Sequence, residues 1–458
     1  MARYGLIGKD TSYSRSGLIH NMIGEYDYEL LDVENKEELK KLLNNQDYDG
    51  FNITMPYKVE IIRYLDELSS DAEKLNAVNV VKRLPNGKLK GYNTDFDGFT
   101  YMMKDKVKNK KCLVLGTGGV SRAINLSLKE LGAGQVILMS RNPERAISDW
   151  ENNVEIVGYD KLEKYSGIQV IINATPVGQL PQIDKSPVIE AGYSMIMFKN
   201  LELAVDIIYN PYRTKFLQDA RRLTKCKTMS GLEMLIVQAL YARNIWLDEY
   251  KDLDKEKDLI SEIKKEILKE QLNIVAIGMP GSGKTTIFRR FAYENGLDFI
   301  DTDEEAEKIM GEKISKVIQD KSRGEEHFRP IEKEVVKAAS LKAKTVIATG
   351  GGSIINPESR DLLRSNGIVI YVKRPLELLS TKNRPLSKKN GVKSLFKRRE
   401  AIYKKTCDFA VVNAGVFGEG RKATGEAGTY HNEMRSYVYF LKRRIERYLH
   451  EIANNKWT

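Results

Sequence analysis

Short apolar runs and helically spaced apolar stripes divide this chain into three blocks. The first block reaches about residue 245 and opens with short β-rich segments such as YGLIG, YELLDV and YDGFNITMP. Within it, AVNVVKRLPNGKLKGYN predicts a hairpin with Asn86 and Gly87 at its turn. From Lys111 the pattern becomes strand, glycine-rich turn, helix and strand, in KCLVLGTGGVSRAINLSLKELGAGQVILMSRN. This order predicts a βαβ unit.

The second and third blocks differ in their charge. Residues 247–271 are dense in Lys, Glu and Asp, with Leu and Ile at roughly helical spacing, which predicts a helical linker with a solvated face. The third block begins at LNIVAIG and alternates strands with helices, as expected for a parallel sheet. Residues 415–430 are glycine-rich and predict a loop. EMRSYVYFLKRRIERYLHEI then predicts a basic amphipathic helix packed on its own domain, with a helix for a partner or a membrane surface as the alternative.

These patterns predict an α/β protein of several domains, since 458 residues are too many for one ordinary core. We expect a substrate-binding domain at residues 1–105, completed by a helix at 230–248, and a Rossmann-like domain at 106–229. A charged helical linker at 249–271 would lead into a P-loop domain with a parallel sheet at 272–458. Within that domain we expect a lid at about 380–396.

Composition narrows the class of protein further. The chain is 41% hydrophobic and 30% charged, and no apolar run approaches the roughly eighteen residues of a membrane span. The start, MARYGLIGKD, lacks the apolar core of a signal peptide. The three cysteines, Cys112, Cys226 and Cys407, are few and far apart, which is typical of reduced thiols. We therefore expect a cytoplasmic protein. The net charge of +11 favours anionic partners, either nucleic acid or small anions and nucleotides. Aromatic platforms interleaved with basic residues are missing, which disfavours nucleic acid. The sequence does not indicate an oligomeric state.

A phosphate-binding motif opens the third block. Gly278 to Thr285 fit G-x-x-x-x-G-K-[ST] between a strand and a helix. Glycines let backbone N–H groups converge on phosphate oxygens, and the helix N-terminus adds positive potential. Lys284 can reach the β- and γ-phosphates, and the Thr285 hydroxyl can ligate Mg²⁺. We expect ATP binding by Gly278, Gly281, Gly283, Lys284, Thr285 and Thr286.

Acidic and basic residues after this motif indicate the phosphate acceptor. FIDTD places Asp301 and Asp303 on one face of a strand end. One carboxylate could hold Mg²⁺ and the other accept a proton from an attacking hydroxyl, although two solvated acids at a turn are the alternative. Arg329, Arg384 and Arg399 follow, and several arginines in a small P-loop domain indicate anion recognition.

The combination of GMPGSGKTT, DTD, GEEHFR, GGG, RPL and RREAIY resembles the shikimate kinase family over residues 272–412. The resemblance implies that Asp303 orients and deprotonates the substrate hydroxyl. It also implies that Arg329, Arg399 and the Gly351 backbone hold the shikimate ring and carboxylate. The remaining implied roles are a lid arginine at Arg384, Mg²⁺ at Asp301 and Thr285, and the ATP phosphates at Lys284. The lid segment STKNRPLSKKNG is short, and Ser380 stands where the family often has an arginine near adenine.

The glycine-rich turn of the first block indicates a dinucleotide. GTGGVSRA keeps Gly116 and Gly118 of the fingerprint but has Ser121 where Gly or Ala is usual, so a tight turn without a ligand is the alternative. The next strand ends without an Asp or Glu for a ribose 2′-hydroxyl. A hydroxyl and two cations stand there instead, which favours NADP over NAD; they are Ser140, Arg141 and Arg145.

A cofactor that carries hydride needs a carbonyl substrate and a proton donor. NITMPYK places Lys58 at a helix start, and GYNTDFDG supplies Asp95 after the predicted hairpin. A lysine beside a carboxylate can relay a proton. The alternatives are a surface lysine and, for Asp95, a helix N-cap.

Eight stretches of the first block resemble shikimate dehydrogenase over residues 4–245: SYSRSGLIHN, FNITMPYK, NAVNVV, GYNTDFDG, GTGGVSRA, INATPVG, DIIYNP and GLEMLIVQA. The resemblance implies that Lys58 and Asp95 form the catalytic pair, while Ser14 and Ser16 bind the substrate carboxylate. The implied contacts of the ring hydroxyls are Thr54, Asn79, Asn93, Tyr209 and Gln238. The implied NADP contacts are Gly116, Gly118, Gly119, Ser140, Arg141 and Arg145, with Ile207 and Gly231 near the nicotinamide. Gly17 stands where the family usually has proline.

Both resemblances together imply two consecutive steps on one metabolite, with NADP(H), ATP and Mg²⁺ as cofactors. The first step would reduce 3-dehydroshikimate to shikimate, and the second would phosphorylate shikimate. A quinate or shikimate dehydrogenase joined to a catalytically inactive kinase-like binding module is the alternative.

Overall fold

Three β-sheets organise the protein. The computed structural model describes residues 1–150, 154–320, 322–379, 391–414 and 427–455. Two sheets lie in what we call the N-terminal half, residues 1–248, and one lies in the C-terminal half, residues 257–455. Across those described ranges, none of the helices combines the length and apolar character that crossing a membrane requires.

The first sheet is mixed, in the order β2-β1-β3-β5-β6-β4. β1 pairs in parallel with β2 and β3, while β3, β5 and β6 pair antiparallel. The predicted hairpin is confirmed as β5 and β6, with Gly87 at φ +84° in its turn. The elements are β1 (Arg3–Gly8), α1 (Ser16–Ile23), β2 (Asp27–Asp32), α2 (Lys36–Asn44), β3 (Gly50–Ile53), α3 (Tyr57–Glu60), β4 (Glu67–Leu68), α4 (Ser70–Leu75), β5 (Val80–Arg83), β6 (Leu89–Tyr92) and α5 (Thr94–Met103).

The second sheet is entirely parallel, in the order β12-β11-β10-β7-β8-β9. Its elements are β7 (Lys111–Leu115), α6 (Gly119–Glu130), β8 (Gln135–Ser140), α7 (Pro143–Asp149), β9 (Glu155–Gly158), β10 (Val170–Asn173), α8 (Pro187–Glu190), β11 (Leu203–Asp206), α9 (Lys215–Thr224), β12 (Lys227–Ser230) and α10 (Leu232–Trp246). The predicted βαβ unit is confirmed as β7, α6 and β8. Because the strand order reverses between β7 and β10, the carboxyl ends of these two strands open a crevice.

Helix α10 follows the second sheet but packs on the first. Trp246 donates from Nε1 to the Val81 carbonyl of β5 at 3.0 Å, and its ring stacks on Tyr4 of β1. The same helix contacts α5 along its length. The chain therefore returns to the first sheet before it enters the C-terminal half.

The third sheet is also parallel, in the order β14-β15-β13-β16-β17. Its elements are α11 (Lys257–Gln271), β13 (Asn273–Ile277), α12 (Lys284–Asn295), β14 (Asp298–Asp301), α13 (Thr302–Met310), α14 (Ile314–Gln319), α15 (Gly324–Ser340), β15 (Thr345–Ala348), α16 (Pro357–Ser365), β16 (Gly367–Lys373), α17 (Val392–Thr406), β17 (Phe409–Val412) and α18 (Ala427–Ala453). The α/β fold class with parallel sheets is confirmed.

The region that we interpreted as a linker is built into the core. Helix α11 buries Ile260, Ile263, Ile267 and Leu268 and contacts α10 and α18. These residues belong to one apolar cluster that reaches from Ile19 of α1 to the strands of the third sheet. The prediction of a solvated face is therefore correct for the charged side of α11 only. The apolar side of this helix is buried and contacts residues of both halves.

The predicted C-terminal helix is confirmed as α18, which contacts α11 and α12. Its apolar stripe is buried on these helices through Val438, Leu441, Ile445 and Leu449. Of the predicted loop at 415–430, residues 415–426 lie outside the described residues, and residues 427–430 are helical. Of the predicted lid, residues 380–390 lie outside the described residues, and residues 392–396 begin α17.

Candidate active sites

The glycine-rich turn after β7 lies at the reversal point of the second sheet. Gly116 has φ +109°, and a Cβ there would lie 2.9 Å from Cγ2 of Thr175, which follows β10. Gly118 precedes α6, which begins at Gly119 and points its N-terminus toward the crevice. Free backbone N–H groups at a helix N-terminus attract phosphate. The turn can therefore hold the pyrophosphate of a dinucleotide.

Ser140 ends β8, the strand next to this turn. Its Oγ accepts hydrogen bonds from Oγ1 of Thr117 and from the backbone N–H of Asn142, both at 3.2 Å. Arg141 and Arg145 are exposed beside it. A hydroxyl held at the turn and two solvent-facing cations suit an additional phosphate on the ribose.

Gly231 and Ile207 meet at the other end of the crevice. A Cβ on Gly231 would lie 1.9 Å from the Ile207 carbonyl oxygen, so the chain can only approach this closely without a side chain. The contact joins the end of β11 to the start of α10. It positions these two residues together, as their implied role at one ring of the cofactor requires.

Lys58 and Asp95 form an ion pair at the edge of the first sheet. Lys58 Nζ on α3 lies 2.6 Å from Asp95 Oδ2 in the first turn of α5, and the side chains are only 29% and 12% exposed. A partly desolvated ion pair is held more strongly than one in water. The pair can present a fixed ammonium to a substrate oxygen.

Asn79 connects this pair to α10. Its Nδ2 lies 3.1 Å from Asp95 Oδ1, 3.1 Å from Thr94 Oγ1 and 3.3 Å from Gln238 Oε1. Thr94, which the sequence analysis did not select, is fully buried between Asn79 and Gln238. Its position next to Asp95 in the motif GYNTDFDG could have indicated that Thr94 belongs to the site.

Asn93 has its polar groups engaged within the protein. Its Oδ1 accepts from the Asp95 N–H at 3.1 Å, and its Nδ2 donates to the Ala77 carbonyl at 2.9 Å. Asn93, not Asp95, is therefore the N-cap of α5, and the N-cap alternative for Asp95 was wrong. The structure leaves Asp95 free to pair with Lys58.

The remaining predicted residues of this site lie in loops, except Ser16, which begins α1. Ser14 Oγ and Ser16 Oγ are 3.0 Å apart, and Ser16 is next to Tyr28, whose hydroxyl donates to Asn52 at 2.7 Å. Thr54 follows β3 and is half-buried. Tyr209 is also half-buried, and burial raises the pKa of its hydroxyl.

The phosphate-binding loop of the C-terminal half connects β13 to α12. Lys284 is buried, and its Nζ donates to the carbonyls of Gly278 and Met279 at 3.0 and 3.1 Å. Asn413, after β17, donates to the Ser282 carbonyl at 2.9 Å. Local motifs gave no signal for Asn413, because it lies far along the chain and meets the loop only through the sheet.

Thr285 and Asp301 form a close pair beside this loop. Thr285 Oγ1 donates to Asp301 Oδ2 at 2.6 Å, while Asp301 Oδ1 accepts from the Asp303 N–H at 2.9 Å. No group of three or more His, Cys, Asp or Glu that could hold a metal occurs in the described part of the chain. A hydroxyl and a carboxylate fit Mg²⁺, which keeps several waters and takes further oxygens from phosphate.

The prediction that Asp301 and Asp303 share one face of a strand was wrong. β14 ends at Asp301, the N-cap of α13, and Asp303 lies in the first turn of that helix. The Asp303 side chain is exposed on one side and lies against Gly350 on the other, where a Cβ would be 2.4 Å from Oδ1. Desolvation by the surrounding protein is the main cause that raises the pKa of this carboxyl group. The negative charges of Asp301 and Glu332 raise it further. A carboxylate with a raised pKa is a better proton acceptor.

Two arginines contact the glycine loop 350–352, which also touches Asp303. Arg329 donates to Glu332 at 2.6 Å and to Glu325 at 2.7 Å. Arg399 is buried and donates to the Gly351 carbonyl at 2.9 Å. Glu332 was missed by the sequence analysis, although its spacing of three residues from Arg329 on α15 was a usable signal. Arg384 lies outside the described residues.

This arrangement defines an α/β protein with a dinucleotide-binding crevice and a separate P-loop site. Residues 6–81 match the family model for the shikimate dehydrogenase substrate binding domain, and residues 280–416 match the model for shikimate kinase. A shikimate dehydrogenase (NADP(+)) from Clostridium beijerinckii is 36% identical over 257 residues, which are 54% of this chain and 92% of that protein. The chain belongs to the shikimate dehydrogenase family, and it carries a shikimate kinase domain in addition.

Solved structures agree with this assignment. The chorismate mutase/shikimate 5-dehydrogenase fusion protein from Clostridium acetobutylicum is 36% identical, with a TM-score of 0.52 over 57% of this chain and 98% of that chain. Shikimate dehydrogenase 1 from Peptoclostridium difficile is 32% identical, with a TM-score of 0.50 over 58% and 100%. These likenesses account for little more than half of the chain, in keeping with a second enzyme-like domain.

Proposed function

We propose that the chain catalyses two consecutive reactions on the way to chorismate and the aromatic amino acids. The N-terminal half reduces 3-dehydroshikimate to shikimate with NADPH. The C-terminal half phosphorylates shikimate to shikimate 3-phosphate with MgATP. The proposal is supported mainly by the Lys58–Asp95 ion pair of 2.6 Å in the half that carries the dinucleotide turn. The same chain carries Asp303, with its raised pKa, in the half that holds the phosphate-binding loop.

In the first reaction, NADPH supplies the hydride when it is bound. Lys58 donates a proton from Nζ to the ketone oxygen as that oxygen gains negative charge. Asp95 holds the ammonium in place through Oδ2 and is itself held through Oδ1 by Asn79. Ser14 and Ser16 bind the substrate carboxylate. The ring hydroxyls are contacted by Thr54, Asn79, Asn93, Tyr209 and Gln238.

Several residues support NADP as the cofactor of this reaction. The relative from Clostridium beijerinckii is named for NADP(+), and Ser140 with the exposed Arg141 and Arg145 offers a phosphate site where NAD would need an acid. Gly116, Gly118 and Gly119 hold the pyrophosphate, and Ile207 with Gly231 borders the nicotinamide.

In the second reaction, Asp303 accepts the proton of the attacking shikimate hydroxyl. Arg329 and Arg399 hold the substrate carboxylate from two sides, together with the Gly351 backbone. Thr285 and Asp301 would hold Mg²⁺, which offsets phosphate charge when it is bound. Lys284 leaves the carbonyls of its own loop to bind the ATP phosphates.

The domain boundaries belong to the same proposal. Residues 1–105 and the helix at 230–248 form the substrate domain of the dehydrogenase, and residues 106–229 form its NADP domain. Residues 249–271 connect to the kinase domain at 272–458, with its lid at about 380–396.

The test is a coupled assay on the purified full chain. We expect NADPH oxidation with 3-dehydroshikimate, followed by ATP-dependent formation of shikimate 3-phosphate. Lys58→Ala should stop the first step alone, and Asp303→Ala the second step alone. NADPH oxidation without phosphorylation at any Mg²⁺ concentration would reduce the C-terminal half to a binding module and contradict the second part of the proposal.

A further inference from the structure

A cavity of about 1130 Å³ lies between the two halves, and none of the residues assigned to either active site lines it. Its wall in the N-terminal half comes mainly from α9 and the edge strand β12. Its wall in the C-terminal half comes from α16, α17 and α18. Binding cavities for small molecules commonly measure roughly 300–1,000 Å³, so this one has room for a ligand of nucleotide size.

The lining of this cavity is strongly basic. Ten lysines and arginines line it against five aspartates and glutamates. Three of the five acids are already neutralised by neighbours: Asp408 by Arg213 at 3.0 Å, Asp361 by Arg222 at 3.4 Å and Glu202 by Lys110 at 2.7 Å. Among the described residues, no ion pair is formed by five of the other lining cations: Lys106, Lys227, Arg360, Arg364 and Lys405.

Cations from the two halves face each other across the boundary. Arg213 of the N-terminal half binds Asp408, and Tyr448 donates to the same carboxylate at 2.8 Å. Arg364 lies beside this group and donates to the carbonyls of Lys405 and Thr406 at 3.2 and 3.1 Å. Burial and the Arg213 guanidinium lower the pKa of Arg364. Arg213 is paired with Asp408, whereas the hydrogen bonds of Arg364 among the described residues go to carbonyls, so an anion in the cavity could still offset the charge of Arg364.

Other cations of the C-terminal wall are available for a ligand. Arg360 donates to the carbonyls of Ile354 and Ile355, and the described residues supply it with no carboxylate. Lys405 has no ion pair with any described acid. Arg360, Arg364 and Lys405 thus present three positive charges to the cavity from α16 and α17.

We propose that this cavity binds a metabolite carrying two or more phosphoryl groups. Guanidinium groups match phosphate oxygens with two parallel hydrogen bonds, and a single small anion could not reach cations on both walls of so large a space. Such a ligand bridges the two halves, because it contacts Lys106 and Lys227 on one wall and Arg364 and Lys405 on the other. This site is separate from the proposed NADP and ATP sites.

Calorimetric titration with inorganic pyrophosphate tests the proposal on the full chain carrying Lys284→Ala and Gly118→Asp. A Cβ at Gly118 meets no atom within 4 Å, so the second change adds a negative charge at the dinucleotide turn, and neither nucleotide site takes the probe. We expect saturable binding that Arg364→Gln with Lys405→Gln weakens at least tenfold. The matched control is Lys40→Gln with Lys41→Gln, which removes the same charge from the exposed surface of α2 and should leave binding unchanged. Equal affinity in all three proteins, or an equal loss in the control, would overturn the proposal.

Three further ligands test how many phosphoryl groups the cavity binds and which class of metabolite carries them. Inorganic phosphate should bind at least tenfold more weakly than pyrophosphate, and equal affinities would contradict a site for two phosphoryl groups. ADP and a hexose bisphosphate distinguish a nucleotide from a sugar phosphate as the source of those groups. Displacement of pyrophosphate by either supports the proposal, and displacement by neither would overturn it. Arg360→Gln gives a second variant of the same wall should the first pair fail to fold, and it should weaken pyrophosphate binding in the same direction.

Discussion

The side-chain amide of Asn366 donates a hydrogen bond of 2.7 Å to the side-chain oxygen of Asn210 and so joins the C-terminal half to the N-terminal half. The side-chain oxygen of Asn366 accepts from the Tyr212 N–H at 2.8 Å and from Gln271 at 3.0 Å. Gln271 also donates to the Tyr209 carbonyl at 2.8 Å. The loop that carries Tyr209 is thus held in place by residues of the C-terminal half.

Replacing Asn366 with Ala should impair the dehydrogenase from a distance. The loop loses hydrogen bonds that contribute about 1 kcal/mol each, so we expect kcat/KM for 3-dehydroshikimate to fall about fivefold. Steady-state NADPH oxidation measures this. Asn454→Ala, which removes an exposed amide just after α18, is the control and should change nothing. An unchanged kcat/KM in Asn366→Ala would show that the contact serves stability only.

Replacing Lys58 with Met should lower kcat of the dehydrogenase by about 10²- to 10⁴-fold, because the ketone oxygen loses its proton donor. NADPH affinity, followed by its fluorescence, should stay within about twofold, since Lys58 lies at the substrate side. Phosphorylation of added shikimate by the same variant is the internal control. A normal dehydrogenase rate in Lys58→Met would assign the proton to another group.

Replacing Thr285 with Val should raise the Mg²⁺ concentration needed for half-maximal phosphorylation. The variant loses the hydroxyl that lies 2.6 Å from Asp301, while the shape of the side chain is kept. We expect a shift of at least tenfold, as one ligand of the ion is lost. Thr285→Ser restores the hydroxyl and should restore the Mg²⁺ requirement. If Val and Ser behave alike, Thr285 does not hold the ion.

The pH dependence of phosphorylation should report Asp303. The proton acceptor must be ionised, and its pKa is raised above the ordinary 3.8, so kcat/KM should fall as pH falls through the raised pKa, earlier than an ordinary aspartate would require. Glu332→Gln removes one negative charge that raises this pKa and should move the acid limb to lower pH. The dehydrogenase profile of the same variant should not move. An acid limb that stays in place or moves to higher pH would contradict this account of Asp303.

The sequence alone determined the two nucleotide-binding turns. Gly278 to Lys284, and Gly116 to Gly119, are recognised by residues that are neighbours in the chain, because a strand, a turn and a helix follow each other directly. The hairpin at Asn86 and the helix α18 are local for the same reason. The family resemblance added roles for distant residues, but not their geometry.

The tertiary structure decided which distant residues meet. Lys58, Asn79, Asp95 and Gln238 come from four parts of the chain, and they meet because α10 returns to the first sheet. The burial of α11 and the contact between Asn366 and Asn210 depend on how two separately patterned halves pack together. Hydrophobic periodicity records which face of an element is buried, but not which element covers it. The basic cavity between the halves follows from that packing in the same way.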